Sequence, residues 1–389
     1  TKGVMAAHYQ NLKGYIPDSF TWEEGQEITE RTLRSAASFQ APNGGMVYYI
    51  AADRYVSPYL SAYTALAFNW LKQDGYPIPE QVESRLHDYL LNFLRNDTAP
   101  TFYSLGMRST VHAVALAALA KNGRVNLDDL ERYRPHLKEM GLFGKAHYLD
   151  ALLTLSAQSE PIKETTSDIL GHANQTGGKF MFSEILDDSY SRILSTPLRE
   201  NCAILNSFSQ LAKTDEGSKT VHDIPFKLVR TITQTRQSRD HWENTQENMF
   251  CMNALVNYSK TYESTPPDMK VTASFNKAEF GSASFSDLRD PAITLNRPMQ
   301  AEDEGTKATV DITKNGDGRL YYITRLQYAP KFSFSKPTNA GIEIKREYSV
   351  ERDGKWQLLK PVDTIKRGEL IRVDIFLSIP AARNFVVVD

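Results

Sequence analysis

Leu198–Lys213, LRENCAILNSFSQLAK, and Thr245–Lys260, TQENMFCMNALVNYSK, decide how the longer, N-terminal part of the chain folds. Glu200, Asn201, Asn206 and Phe208 of the first correspond to Glu247, Asn248, Asn253 and Leu255 of the second, a uniform offset of 47 positions. Each stretch has the length of roughly four helical turns and closes on a lysine. Pro58–Lys72 and Arg108–Lys121 share the pattern, and Lys145–Gln158 lies in the gap between them and the later pair. A repeat near this length holds one helical hairpin with its loops. These segments are apolar around most of their circumference, so they should be covered on both sides. Gly25–Gln40, Glu80–Leu94 and Asn126–Met140 carry charges on one face and read as outer helices. Inner and outer helices alternating at a fixed period describe an α/α toroid, expected over residues 1–262 with its first hairpin incomplete. Alanine suits the inner ring because small side chains let helices approach closely.

The helical pattern stops at Glu263-Ser264-Thr265-Pro266-Pro267-Asp268, where proline ends a helix and stiffens an extended connection. Beyond it the period becomes that of strands: Lys270–Phe275, Thr306–Ile312, Tyr321–Leu326, Gly341–Val350, Trp356–Leu359, Leu370–Ser378 and Phe385–Val388. Asn315-Gly316-Asp317-Gly318, between two of these, reads as a hairpin turn. The fold class is therefore multidomain, α then β: a toroid followed by antiparallel β-sandwich domains. The expected divisions are a linking β domain at 269–335 and a truncated C-terminal sandwich at 336–389. The chain opens at Thr1, not methionine, and stops at Asp389 directly after a strand pattern, so both ends read as cuts within a longer protein.

With 389 residues and a formal net charge of −2, the chain has no general attraction for nucleic acid or anionic membrane. Its longest apolar run, Ala113–Ala120, is too short to span a bilayer. Cys202 and Cys251 lie in no CxxC or Cys/His spacing and read as small buried core residues. Aligned on the glutamates, Cys202 is two residues past Glu200 and Cys251 four past Glu247. Two residues rotate a helix by about 200°, so the thiols are expected on different sides and unjoined.

Gln40-Ala41-Pro42-Asn43-Gly44-Gly45 followed by Tyr59-Leu60-Ser61-Ala62-Tyr63 resembles a stretch of alpha-2-macroglobulin and complement thioester domains. Asn244-Thr245-Gln246-Glu247-Asn248 resembles the opening of the last inner helix in bacterial members. Gly318-Arg319-Leu320-Tyr321-Tyr322 resembles the strand after it, and Phe385-Val386-Val387-Val388-Asp389 the strand before a turn of the terminal domain. The resemblance implies a C-terminal fragment of a trap-type protease inhibitor, periplasmic or in the cell envelope, its parent anchored as a lipoprotein. Proteases, through the parent, and envelope proteins are the implied partners. Two departures stand out. Met46-Val47-Tyr48-Tyr49 replaces a stretch that commonly holds tryptophan. The reactive Cys-x-Glu-Gln of the family is absent, since Cys202 precedes Ala203-Ile204-Leu205 and Cys251 precedes Met252-Asn253-Ala254.

Other α/α toroids are enzymes, so a glycan-active enzyme is one alternative and a non-catalytic envelope scaffold another. Asp187-Asp188 are adjacent, whereas glycosidases set two carboxylates across a cleft; a surface loop is the simpler reading. Glu200 and Glu247, at helix starts, suit the helix dipole and could cap free N–H groups. The eight histidines show no paired metal-ligand spacing, and His112 and His147 read as core residues. No nucleophile elbow, P-loop or dinucleotide fingerprint is present. The chain is therefore read as no enzyme, with no catalytic residue, metal or cofactor. Tyr48, Tyr49, Tyr59 and Tyr63, around the mouth of one inner helix, are the candidate domain-docking residues.

Overall fold

The structure is a computed structural model that describes residues 1–12, 22–50, 55–96, 99–176, 179–236, 241–327 and 343–378. The chain divides into two compact units, Thr1–Leu320 and Tyr321–Asp389.

In the first unit the described helices form two concentric layers. The inner ones are α1 (Lys2–Leu12), α3 (Pro58–Gln73), α5 (Leu105–Ala120), α7 (Leu142–Thr154), α9 (Pro197–Leu211) and α12 (Thr245–Tyr262). The outer ones are α2 (Gly25–Ser35), α4 (Glu80–Asn96), α6 (Leu127–Tyr133), α8 (Ser159–Leu170), α10 (Asp215–Val221) and α11 (Ile224–Gln234). Each inner helix packs on the next, and α1 touches both α12 and α3, so the ring closes. Asn69 donates to the Ala118 carbonyl at 2.9 Å and Asn253 to Asn206 at 3.5 Å, contacts whose sequence offsets match the repeat. Neighbouring inner helices thus run parallel and start at one end of the toroid.

Local chemistry sets those starts. Ser57, Ser104, Thr196 and Asn244 each accept a hydrogen bond from a first-turn N–H of α3, α5, α9 and α12, and Pro58 and Pro197 take positions that need no donor. Helix α7 begins at Gly141, which has no side chain to cap with. Its first N–H groups are met from elsewhere, by the Thr110 hydroxyl at 2.9 Å and Glu184 Oε1 at 2.7 Å. Helix α5 is buried along almost its whole length, Ala113, Ala115 and Ala118 completely. The outer α4 buries only one stripe, including Val82, Leu86, Leu90 and Phe93.

The helical part also holds a hairpin that helical periodicity does not reveal, β1 (Ala173–Thr176) with β2 (Lys179–Phe182). It sits at the rim, where β2 packs on α11 and α9, and leaves the inner ring uninterrupted.

After the Pro-Pro linker, β3 (Asp268–Phe275), β4 (Ala278–Phe285) and β5 (Val310–Asp317) form an antiparallel sheet in the order β4-β3-β5. Strand β4 escaped the sequence reading because its turn, Asn276-Lys277, has positive φ at both residues without a glycine to announce it. Asn315-Gly316-Asp317-Gly318 is not the expected hairpin turn. Its first three residues belong to β5 and pair with Lys270, Met269 and Asp268. The glycines serve close backbone approach: a Cβ on Gly316 would lie 2.1 Å from the Asp268 carbonyl oxygen, and one on Gly318 2.8 Å from Pro267 Cα. Tyr321–Leu326, read as a strand, is not one.

In the second unit β6 (Glu343–Arg352), β7 (Lys355–Leu358) and β8 (Ile371–Ser378) form an antiparallel sheet ordered β7-β6-β8. Ile344, Tyr348 and Val350 pair with Leu377, Val373 and Ile371, which puts these six on one face. Lys345 and Glu347, with Asp374 and Arg372, share the opposite face, where both ion pairs lie within single strands. The expected strand Phe385–Val388 lies outside the described residues.

Candidate functional site

Parallel inner helices bring the start of each to one end of the ring, and the side chains there decide what the axis can admit. Tyr59 and Tyr63, one turn apart on α3, point inward and are 1% and 5% exposed. Tyr59 donates its hydroxyl proton to Gln246 Oε1 at 2.8 Å and accepts from Arg199 Nη1 at 2.8 Å. The fully buried Arg199 lays its guanidinium 3.9 Å from the centre of the Phe143 ring and donates to the Ile193 carbonyl. Tyr63 hydrogen-bonds Thr1 Oγ1 at 2.6 Å and packs against Phe250 and Trp70 with ring centres 6.0 and 6.4 Å away. Phe250 also meets Phe143 at 5.2 Å and Trp70 at 5.6 Å. Rings from α3, α7 and α12, with a cation from α9, fill the axis.

The four tyrosines read as one docking face therefore separate. Tyr59 and Tyr63 are axial packing. Tyr48 and Tyr49 lie on the approach to α3, 38% and 75% exposed. Ile50, Tyr55, Phe102 and Leu105 are also exposed, with Tyr55 and Phe102 ring centres 5.7 Å apart. Alternation of faces on a helix was legible, but which face looks down the axis depends on how α3 is rotated in the ring.

Beneath the aromatic layer lies a polar one. Asp150 accepts from Asn206 Nδ2 and Gln210 Nε2, both at 3.1 Å, and Asn206 Oδ1 accepts from Asn257 at 2.6 Å. Burial pushes the Asp150 carboxyl up to about 7 against the opposing pull of Lys121 and the Asn206 hydrogen bond. Burial takes His147 down to about 4, although its ring bonds the Phe143 carbonyl at 2.9 Å. A cavity lined by Trp70, Lys121, His147, Asp150, Asn206 and Asn253, among others, has a volume of about 10 Å³, room for a single water. A sugar ring does not fit there.

The carboxylates considered for catalysis are spread out. Asp187 and Asp188 are exposed, and Asp187 accepts from the Ser189 N–H at 2.8 Å, capping a short turn. Glu200 and Glu247 lie in the first turns of α9 and α12 as read, but neither caps. Thr196 and Asn244 do that, while Glu200 takes the Ser195 hydroxyl. Glu184, which belongs to no sequence motif, is pushed up to about 7 by burial and by Glu200, and caps α7. Its partner Leu142 is 42 positions away, a separation that leaves no periodic trace. His112 packs between Phe93 and Tyr133, with ring centres 4.6 and 5.0 Å away. Among the described residues no three His, Cys, Asp or Glu side chains gather as a metal site, and no helix is long and apolar enough to cross a membrane.

Cys202 and Cys251 are joined in a disulfide, with Cα atoms 4.9 Å apart, contrary to the expectation that they are separate. The rotation of about 200° between their repeat positions is sound. In a closed ring that rotation brings the thiols together. Around a ring, the face a helix shows its successor is opposite to the face its successor shows back, so residues half a turn apart in register meet. Both cysteines are fully buried, and with sulfur bonded to sulfur neither is a free thiol.

No protein-family model and no curated protein matches the chain. Solved structures do. The chain is similar to trypsin-activated alpha-2-macroglobulin from Escherichia coli (TM-score 0.59, 17% identity, 97% of this chain and 24% of that one). It is similar to Salmonella alpha-2-macroglobulin reacted with methylamine (TM-score 0.55, 16% identity, 97% of this chain and 22% of that one). It is also similar to a native E. coli structure running from domain MG7 to the C-terminus (TM-score 0.52, 16% identity, 92% of this chain and 51% of that one). The chain spans between about a fifth and a half of the length of such proteins. Over 92–97% of its length, the fold of this chain is that of a segment of bacterial alpha-2-macroglobulins.

Proposed function

We propose that this chain is the toroid-and-sheet segment of a protease-trapping protein and carries no reactive chemistry of its own. The observation that supports this best is the extent of the structural likeness, which runs through the toroid and on into the sheets. Proteases are then partners of the longer protein, and the exposed Tyr48 and Tyr49 form part of the face on which another of its domains docks. A disulfide between inner helices supports an oxidising compartment, the periplasm or the cell envelope. With both cysteines bonded and no Cys-x-Glu-Gln in the chain, a covalent bond to a protease would have to form elsewhere.

The test incubates the longer protein, and separately this chain, with trypsin and with elastase. The longer protein should retain the protease in a complex and abolish cleavage of a protein substrate. This chain alone should do neither and give no SDS-stable adduct. Full proteolysis in the presence of the longer protein overturns trapping and favours an envelope scaffold. An adduct on this chain alone overturns the absence of reactive chemistry.

A further inference from the structure

We propose that Arg319 is a releasable latch holding the β4-β3-β5 sheet to the last inner helix of the toroid. Among the described residues, no strand of that sheet packs broadly against a helix. A close side-chain contact is made just beyond the end of β5. Gly318 turns the chain at a φ of 95°, and Lys314 Nζ pins that turn by donating to the Gly318 carbonyl at 2.7 Å. Arg319 then reaches the toroid. Its guanidinium carbon lies 5.0 Å from the centre of the Tyr262 ring and 5.7 Å from that of Phe226, and Nη1 donates to the Tyr258 hydroxyl at 3.4 Å. Tyr258 and Tyr262 sit one turn apart on α12 with ring centres 4.8 Å apart, and Phe226 is on α11.

One side chain thus ties two helices of the toroid to the end of β5. The chemistry is specific to arginine, whose flat guanidinium offers a face to the rings and an edge N–H to the phenol; an ammonium offers only a point charge. Arg319 is exposed. Exposed cation–π contacts shift an equilibrium by roughly two- to fivefold each. Such a contact biases the junction toward the closed form yet leaves it open to release. The latch does not depend on protease trapping; it follows from the toroid and the sheet alone.

Hydrogen–deuterium exchange on the full chain tests it. R319A should raise exchange at residues 263–269 and 316–320 by roughly five- to tenfold, with R319K in between, and leave α5 at its wild-type rate. The proposal is overturned if R319A leaves those segments unchanged or if R319K matches wild type. It is equally overturned if α5 loosens as much as the junction, since Arg319 would then support the whole fold.

Discussion

Asn201 and Asn248, 47 positions apart, make the same three hydrogen bonds. Asn201 accepts from the Phe182 N–H at 2.8 Å, and donates to the Phe182 carbonyl at 2.9 Å and to the Pro197 carbonyl at 2.8 Å. Asn248 does the same for Trp242, at 3.1 Å both ways, and donates to the Asn244 carbonyl at 2.6 Å. In each repeat one amide clamps both backbone groups of an aromatic residue that arrives ahead of the inner helix.

Replacing Asn201 with alanine removes the side-chain partner of the Phe182 N–H and C=O, at a cost of about 1–3 kcal/mol, whereas the Trp242 carbonyl bonded by Asn248 is also met by His241 Nδ1 at 2.7 Å. Asn201 is fully buried and Asn248 only half-buried, so N201A should be the more damaging. Urea unfolding of the two variants measures this; N248A matching or exceeding N201A would contradict it.

The disulfide closes a loop with a sequence separation of 49 residues. Chain-entropy arithmetic for a loop of that length gives about 4 kcal/mol. The C202S/C251S double variant should unfold at correspondingly lower denaturant. In the native protein a thiol reagent should find no reactive sulfur, and a reductant should act only once unfolding exposes the buried bond. Rapid labelling of native protein without reductant would show that the bridge is not formed.

Burial of Asp150 makes the stability of the fold depend on pH. Its carboxyl is raised from an ordinary value near 3.8 to about 7 in the folded chain. Between those values the fold holds a proton that the unfolded chain releases. The stabilisation is full below pH 4 and is lost as pH rises through about 7. Glu184, raised to about 7, acts in the same direction, whereas His147, lowered to about 4, favours the fold as pH rises. Subtracting the stability profile of D150N from that of wild type isolates the first contribution. A difference that stays flat from pH 4 to 8 would remove Asp150 as its source.

Arg199 is fully buried, and its Nε and Nη2 have no hydrogen-bond partner among the described residues. A buried charge so incompletely matched contributes little net stability, while its volume matters. R199M, which keeps most of the volume over Phe143, should therefore cost less than R199A, for which about 3–5 kcal/mol is expected. Thermal melts that rank the two variants the other way would show that the hydrogen bonds to Tyr59 and Ile193 outweigh packing.

The helical repeat, the alternation of inner and outer helices and the change to strands after Pro266-Pro267 were all legible in the sequence, because each is written in local periodicity and breaker residues. Periodicity states which residues share a face of one element and is silent on what that face meets. Tertiary structure alone decided that Cys202 faces Cys251, that Tyr59 and Tyr63 turn down the axis while Tyr48 and Tyr49 stay outside, and that Glu184 caps a helix far along the chain. It also turned Gly316 and Gly318 from an expected hairpin turn into a close backbone crossing beside Pro267 and Asp268. The common reason is ring closure: once the six described inner helices surround one axis, each residue's partner is set by the rotation of its neighbour, a quantity that no single helix encodes.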